Sequence, residues 1–151
     1  NPADVADLRS ILKREDSYTK VMTKIERKEA VRNFAHIAEV SDAVMLMLSS
    51  LEKEVPLPQL PYIQHDIIRM LKWVHKPAIV GTSMLASMAD NPSPSRAEVS
   101  DVAYAIISGA DAVLLGEETA RGSYPLETVS MMESIVIEAE RRTATMDTHL
   151  L

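Results

Sequence analysis

The chain has 151 residues, 46% hydrophobic and 25% charged, an ordinary globular composition with room for one domain of about 100 to 150 residues. Its formal charge of −6, from 16 basic and 22 acidic side chains, lacks the basic footprint of a phosphate-backbone binder, so no nucleic-acid partner is expected. No cysteine is present, which excludes disulfides, thiolate zinc sites and a cysteine nucleophile, and no apolar run approaches the roughly 20 residues of a membrane span.

Asp and Arg follow Asn1 where a secretory signal would place a basic end and an apolar stretch, so the chain is not expected to be secreted. Val5, Leu8, Ile11 and Leu12 recur at helical spacing and predict a leading helix. The apolar run 18–25 predicts a first strand, and Val31, Phe34, Ile37 and Ala38 predict the helix after it. Run 43–48 predicts a second strand, followed by a helix on Ile63, Ile67, Met70 and Val74. Residues 78–80 with their flanks predict a third strand. A loop rich in Pro and Ser around Pro92 and Pro94 comes next, then a helix on Val99, Val102 and Ile106. Run 112–115 predicts the last strand, and Leu126, Val129, Met132 and Val136 the last helix.

The punctuation agrees with this order. Asp42 and Asp111 stand before their strands, Gly109 suits a left-handed helix stop, and Pro125 suits a first helical turn. The strand runs lack polar alternation, which predicts strands buried on both faces of a parallel sheet. The pattern is a helix followed by four βα units. It fits an open doubly wound sheet or half of a (β/α)₈ barrel, which needs about 250 residues when whole. His36, His65, His75 and His149 lie too far apart for a local ligand motif, and the nine methionines read as adaptable core filling.

Several strings are more distinctive. Thr23-Lys24-Ile25-Glu26 precedes Glu29-Ala30-Val31-Arg32-Asn33-Phe34, and Lys76-Pro77 precedes Met84-Leu85. Then come Pro94-Ser95-Arg96-Ala97-Glu98, Gly109-Ala110-Asp111-Ala112, Glu118-Thr119-Ala120-Arg121-Gly122 and Tyr124-Pro125. In this order and spacing, from residue 4 to about 142, they resemble pyruvate kinase. The resemblance implies an α/β fold: a parallel half barrel whose four βα units correspond to strands 5 to 8 of the family's catalytic barrel, with a leading helix. Residues 1–151 then form one partial barrel domain. The family transfers a phosphoryl group between phosphoenolpyruvate and ADP, giving pyruvate and ATP, with Mg²⁺ and K⁺. Barrel chemistry is carried at the carboxyl ends of the strands.

Lys24 and Glu26 are two apart at a strand end and so share a face. On spacing alone they read as charges neutralising one another near solvent. The resemblance implies that Lys24 stabilises charge on the phosphoryl group or the enolate, and that Glu26 is a metal ligand. It also assigns Thr82 to protonation of the enolpyruvate carbon, although a threonine at a strand end more commonly bonds its own loop.

The second strand departs from the family pattern. Where Met-Val-Ala-Arg-Gly-Asp-Leu-Gly is typical, this chain has Met45-Leu46-Met47-Leu48-Ser49-Ser50-Leu51-Glu52. Leu48 replaces the arginine and Ser50 the metal-binding aspartate. A serine hydroxyl does not supply a carboxylate's charge to a hard cation, and leucine removes a permanent cation and its donor fork. Ser49 and Ser50 still offer backbone N–H groups for substrate. Arg96 and Glu98 match a family motif at the barrel rim and the contact between barrels, while Ser95 and Glu98 equally have capping-box spacing.

Three functions compete. The chain is a segment without activity of its own, or a working pyruvate kinase subunit completed by another chain, or a structural subunit. Its open strand edges favour a homo-oligomer or a partner chain that completes the barrel. Cytosol and plastid both suit the family.

Overall fold

The computed structural model describes residues 1–148 and shows two compact units, Asn1–Val80 and one beginning at Gly81.

In the first unit, helix α1 (Pro2–Arg14) starts where the Asn1 side chain accepts from the N–H groups of Ala3 and Asp4, with Pro2 in the first turn. The predicted four-residue stripe is narrower in fact: only Val5 is buried, and Leu8 and Ile11 are exposed. Helix α1 packs against helix α3 (Phe34–Val40). Strand β1 (Met22–Ile25) is shorter than the run that predicts it. The helix expected after β1 is two, α2 (Lys28–Arg32) and α3, broken at Asn33, whose side-chain amide donates to the Glu29 carbonyl at 3.0 Å. Such local bonding competes with helix continuation.

Strand β2 (Ala43–Met47) lies parallel to β1, with Met22 opposite Ala43 and Ile25 opposite Leu46. Leu48, predicted as strand, instead begins a one-turn helix, α4 (Leu48–Leu51), anchored by fully buried Leu51. Helix α5 (Leu60–Trp73) buries Gln64, Ile67, Ile68 and Leu71. The predicted stripe is out of phase, since Met70 and Val74 face solvent. Apolar residues cover more than one face of α5, so packing against α3 selects the phase. Gln64 is carried inward with it, and its Nε2 is buried without a hydrogen-bond partner. Strand β3 (Ala78–Gly81) follows β2 in the order β1-β2-β3, with Val44 N–H donating to the Pro77 carbonyl at 3.0 Å.

Burial on both faces holds for β2, where Val44, Met45 and Leu46 are all enclosed, but not for β1, where Met22 and Lys24 are exposed. The starts of both strands are tied by Asp42. Its Oδ2 accepts from Val21 N–H at 2.7 Å and Arg9 Nη2 at 2.8 Å, its own N–H donates to the Val21 carbonyl at 2.8 Å, and Arg9 Nε reaches the Val40 carbonyl at 2.6 Å.

In the second unit, helix α6 (Arg96–Ile107) carries the predicted capping box, and Gly109 beyond its end has φ 100°. It buries Val102 and Ala105 and packs on α8 (Pro125–Thr148), which starts at Pro125 as expected. Helix α8 also has a shifted face: Thr128, Met132, Ile135 and Ala139 are buried, whereas Leu126 and Val129 are 79% and 52% exposed. Strand β4 (Ala112–Val113) occupies two residues of its four-residue run and is not enclosed on both faces. A Cβ on Gly81 would meet Leu114 Cβ at 2.8 Å, so glycine permits the close approach there. His149 lies outside the described residues.

The Val21 N–H and the Arg9 guanidinium hold the Asp42 carboxyl below its ordinary value of 3.8, outweighing the opposing effect of burial. A group with a lowered folded-state pKa stabilises fully above its unfolded value, and that contribution is lost as the pH falls through the folded one. Asp42→Asn is expected to lower stability at neutral pH and to flatten the acid limb. Urea midpoints taken from neutral to strongly acidic pH check this; parallel curves for the two proteins would contradict it.

Candidate functional site

The parallel register delivers the carboxyl ends of β1 and β2 to the same side of the first unit. Lys24, on β1, and Glu26, just beyond it, are both exposed and together line a cavity of about 410 Å³ with Asp4, Arg27 and Glu29. The two side chains thus open onto one cavity. Leu48, Ser49 and Ser50 follow the end of β2 within α4, each half-buried.

The carboxylates at this end do not make a chelating set. Among the described residues no group of three or more His, Asp or Glu side chains could hold a metal ion. Glu26 contributes one carboxylate, and Ser50 contributes a neutral hydroxyl. These residues alone do not meet the demand of Mg²⁺ for charged oxygen ligands.

In the second unit Thr82 comes directly after β3, rather than ending it, and is half-buried. Ser83 follows with φ 57°, a left-handed conformation uncommon outside glycine. Beyond β4, the short helix α7 (Glu117–Ala120) contains Glu118, which is 1% exposed. Its Oε1 accepts from Leu85 N–H at 3.5 Å. Sequence reasoning missed this burial. The available signal was a glutamate bracketed by Gly116 and Gly122, and a Cβ on Gly122 would meet the Glu118 carbonyl oxygen at 2.3 Å.

Arg96 and Glu98 separate in role. Arg96 is exposed on the first turn of α6. Glu98 accepts from Ser95 N–H at 2.7 Å and from both the N–H and the hydroxyl of Ser87. It therefore caps α6 and ties that helix to the 3₁₀ turn Ala86–Ala89. Burial pushes the Glu98 carboxyl upward, but the bonds from Ser87 and Ser95 together outweigh it and hold the group below its ordinary value. Burial and the charge of Glu98 push Asp101 upward.

The sequence profile of the pyruvate kinase barrel domain matches residues 1–129. The chain belongs to the pyruvate kinase family. It is 45% identical over 141 residues to a pyruvate kinase of Candida albicans, covering 93% of this chain and 28% of that protein. It is 40% identical over 141 residues to a pyruvate kinase of Thermotoga maritima, covering 93% and 30%, and 45% identical over 139 residues to one of Staphylococcus aureus, covering 92% and 24%. The chain thus spans less than a third of the length of these relatives. The parallel α/β architecture is that of part of the pyruvate kinase barrel, and the doubly wound alternative is set aside.

Within this barrel segment the capping role of Glu98 is separable from any role at the rim. Glu98→Ala is expected to destabilise the protein by about 1 kcal/mol through loss of the cap, with Arg96→Ala near neutral. Thermal melts of the two variants test the order; equal losses would contradict it.

Proposed function

We propose that this chain is a pyruvate kinase barrel segment without phosphoryl-transfer activity of its own. The observation that carries the reading is the pair Leu48 and Ser50, at the carboxyl end of β2, where the family pattern has arginine and aspartate. Phosphoryl transfer depends on fixed charge around the moving group and on metal-held phosphates. Lys24 and Glu26 retain the family's residue types in one cavity, as does Thr82 in the second unit, so phosphoenolpyruvate and ADP remain the substrate class to which the segment is fitted. Mg²⁺ and K⁺ are the family's ions, and Glu26 is the residue here that offers a motif carboxylate.

Removing one preorganised electrostatic group commonly costs about 10² to 10³ in rate. The native protein, assayed for pyruvate formation with phosphoenolpyruvate, ADP, Mg²⁺ and K⁺, is expected to show background turnover. The combined substitution Leu48→Arg and Ser50→Asp is expected to raise it by about 10² or more. Robust native turnover that Lys24→Met abolishes would sink the proposal and favour the second reading, a working subunit that draws the other barrel strands from elsewhere in its assembly.

Strand β1 favours an assembly. It pairs with β2 on one side, stands at the end of the strand order, and exposes Met22 and Lys24. An open edge of this kind invites pairing with another strand. Sedimentation of the native protein at micromolar concentration is expected to show a homo-oligomer or a complex, in the cytosol or a plastid; a folded monomer would count against this.

A further inference from the structure

We infer that Glu118 is a positioning residue for Thr82, acting through the 82–85 loop. This rests on the reading above that Thr82 serves the chemistry. All the groups involved lie in the second unit.

The argument begins with burial. Glu118 is 1% exposed, and its carboxylate receives one long hydrogen bond, from Leu85 N–H at 3.5 Å. A buried carboxylate is costly unless compensated by donors, so a position at which it is retained calls for a reason. The other oxygen supplies one. A Cβ built on Gly116 would lie 3.3 Å from Glu118 Oε2, 3.8 Å from the Ser83 nitrogen and 3.9 Å from Thr82 Cβ. The carboxylate, the Ser83 amide and the base of the Thr82 side chain thus converge on one small space that glycine leaves open.

The loop between these contacts is not held by regular structure. It leaves β3 at Gly81, passes through Ser83 at φ 57°, and reaches the 3₁₀ turn at Ala86. A left-handed non-glycine residue persists where its surroundings over-determine it. Glu118 provides such a constraint, with one oxygen accepting from the Leu85 amide and the other bordering the same space beside Gly116 that the Ser83 nitrogen and Thr82 Cβ border. The Thr82 side chain is carried by the backbone of this loop, so its placement depends on a carboxylate that does not itself react. The carboxylate is set in turn from below. Gly122 lets the α7 backbone pass close to Ala89, whose Cα would lie 2.9 Å from a Cβ at position 122.

The test uses the native protein labelled at threonine methyls and amides. Glu118→Gln keeps the shape and an acceptor for Leu85 N–H, whereas Glu118→Ala removes both and Glu118→Asp draws the acceptor back by one methylene. The glutamine variant is expected to keep the native Thr82 methyl shift and Leu85 amide protection. The alanine and aspartate variants are expected to move the Thr82 methyl resonance and to speed Leu85 exchange by about tenfold, with protection in the core of α6 unchanged. If alanine prevents folding, the glutamine and aspartate pair carries the comparison. Native-like Thr82 and Leu85 signals in the aspartate variant, or glutamine signals displaced as far as those of aspartate, would overturn the inference. Failure of the underlying reading has a different signature: Thr82→Val would leave turnover of the Leu48→Arg, Ser50→Asp protein intact while the Glu118 shifts remained.

Discussion

Parallel neighbours have no hairpin to set their register, because the connection between them is a long crossover. In the first unit Asp42 does that work. By accepting from Val21 N–H through its side chain and donating to the Val21 carbonyl through its backbone, it locks the residue before β1 to the residue before β2. A slip of one position would turn every side chain to the opposite face. That Glu26 and the 48–50 turn leave their strands at the same end is thus decided at the near end, one strand length away. Arg9 extends the same bracket to α1 and to the carboxyl end of α3.

Much of this arrangement was legible in residue spacing, and the places where it was not depend on contacts that spacing does not carry. Helix positions follow from the 3.6-residue recurrence of apolar side chains, and the ends of α6 and α8 from Ser95, Glu98, Gly109 and Pro125. Which face turns inward is less readable when apolar residues spread around a helix. Helix α5 offers Ile63, Ile67, Ile68, Met70 and Leu71, and the choice among them belongs to its neighbours. Helix α8 repeats the lesson with Leu126 and Val129, which have helical spacing but face outward. At Asn33 the side-chain amide shares the Glu29 carbonyl with the residue's own backbone N–H, a local bond that no apolar spacing announces.

The candidate site divides in the same way. Lys24 and Glu26 could be placed together because alternation along a strand is a strict rule, and the losses at positions 48 and 50 could be seen because they change charge within a recognisable motif. Glu98 carried two readings, and the structure adds a third contact, Ser87, that no local pattern announces. Glu118 is not marked by any local pattern because burial of a carboxylate depends on how closely backbones approach, and Gly116 and Gly122 permit that approach.

The one-turn helix α4 separates two kinds of information within four consecutive residues. Leu51 points into the core and is wholly buried, while Leu48, Ser49 and Ser50 remain part-exposed at the strand mouth. The turn is secured by its last residue, and its first three carry less of the packing. Leu51 and the three residues before it thus answer to different demands, the one to packing and the others to whatever meets the strand mouth.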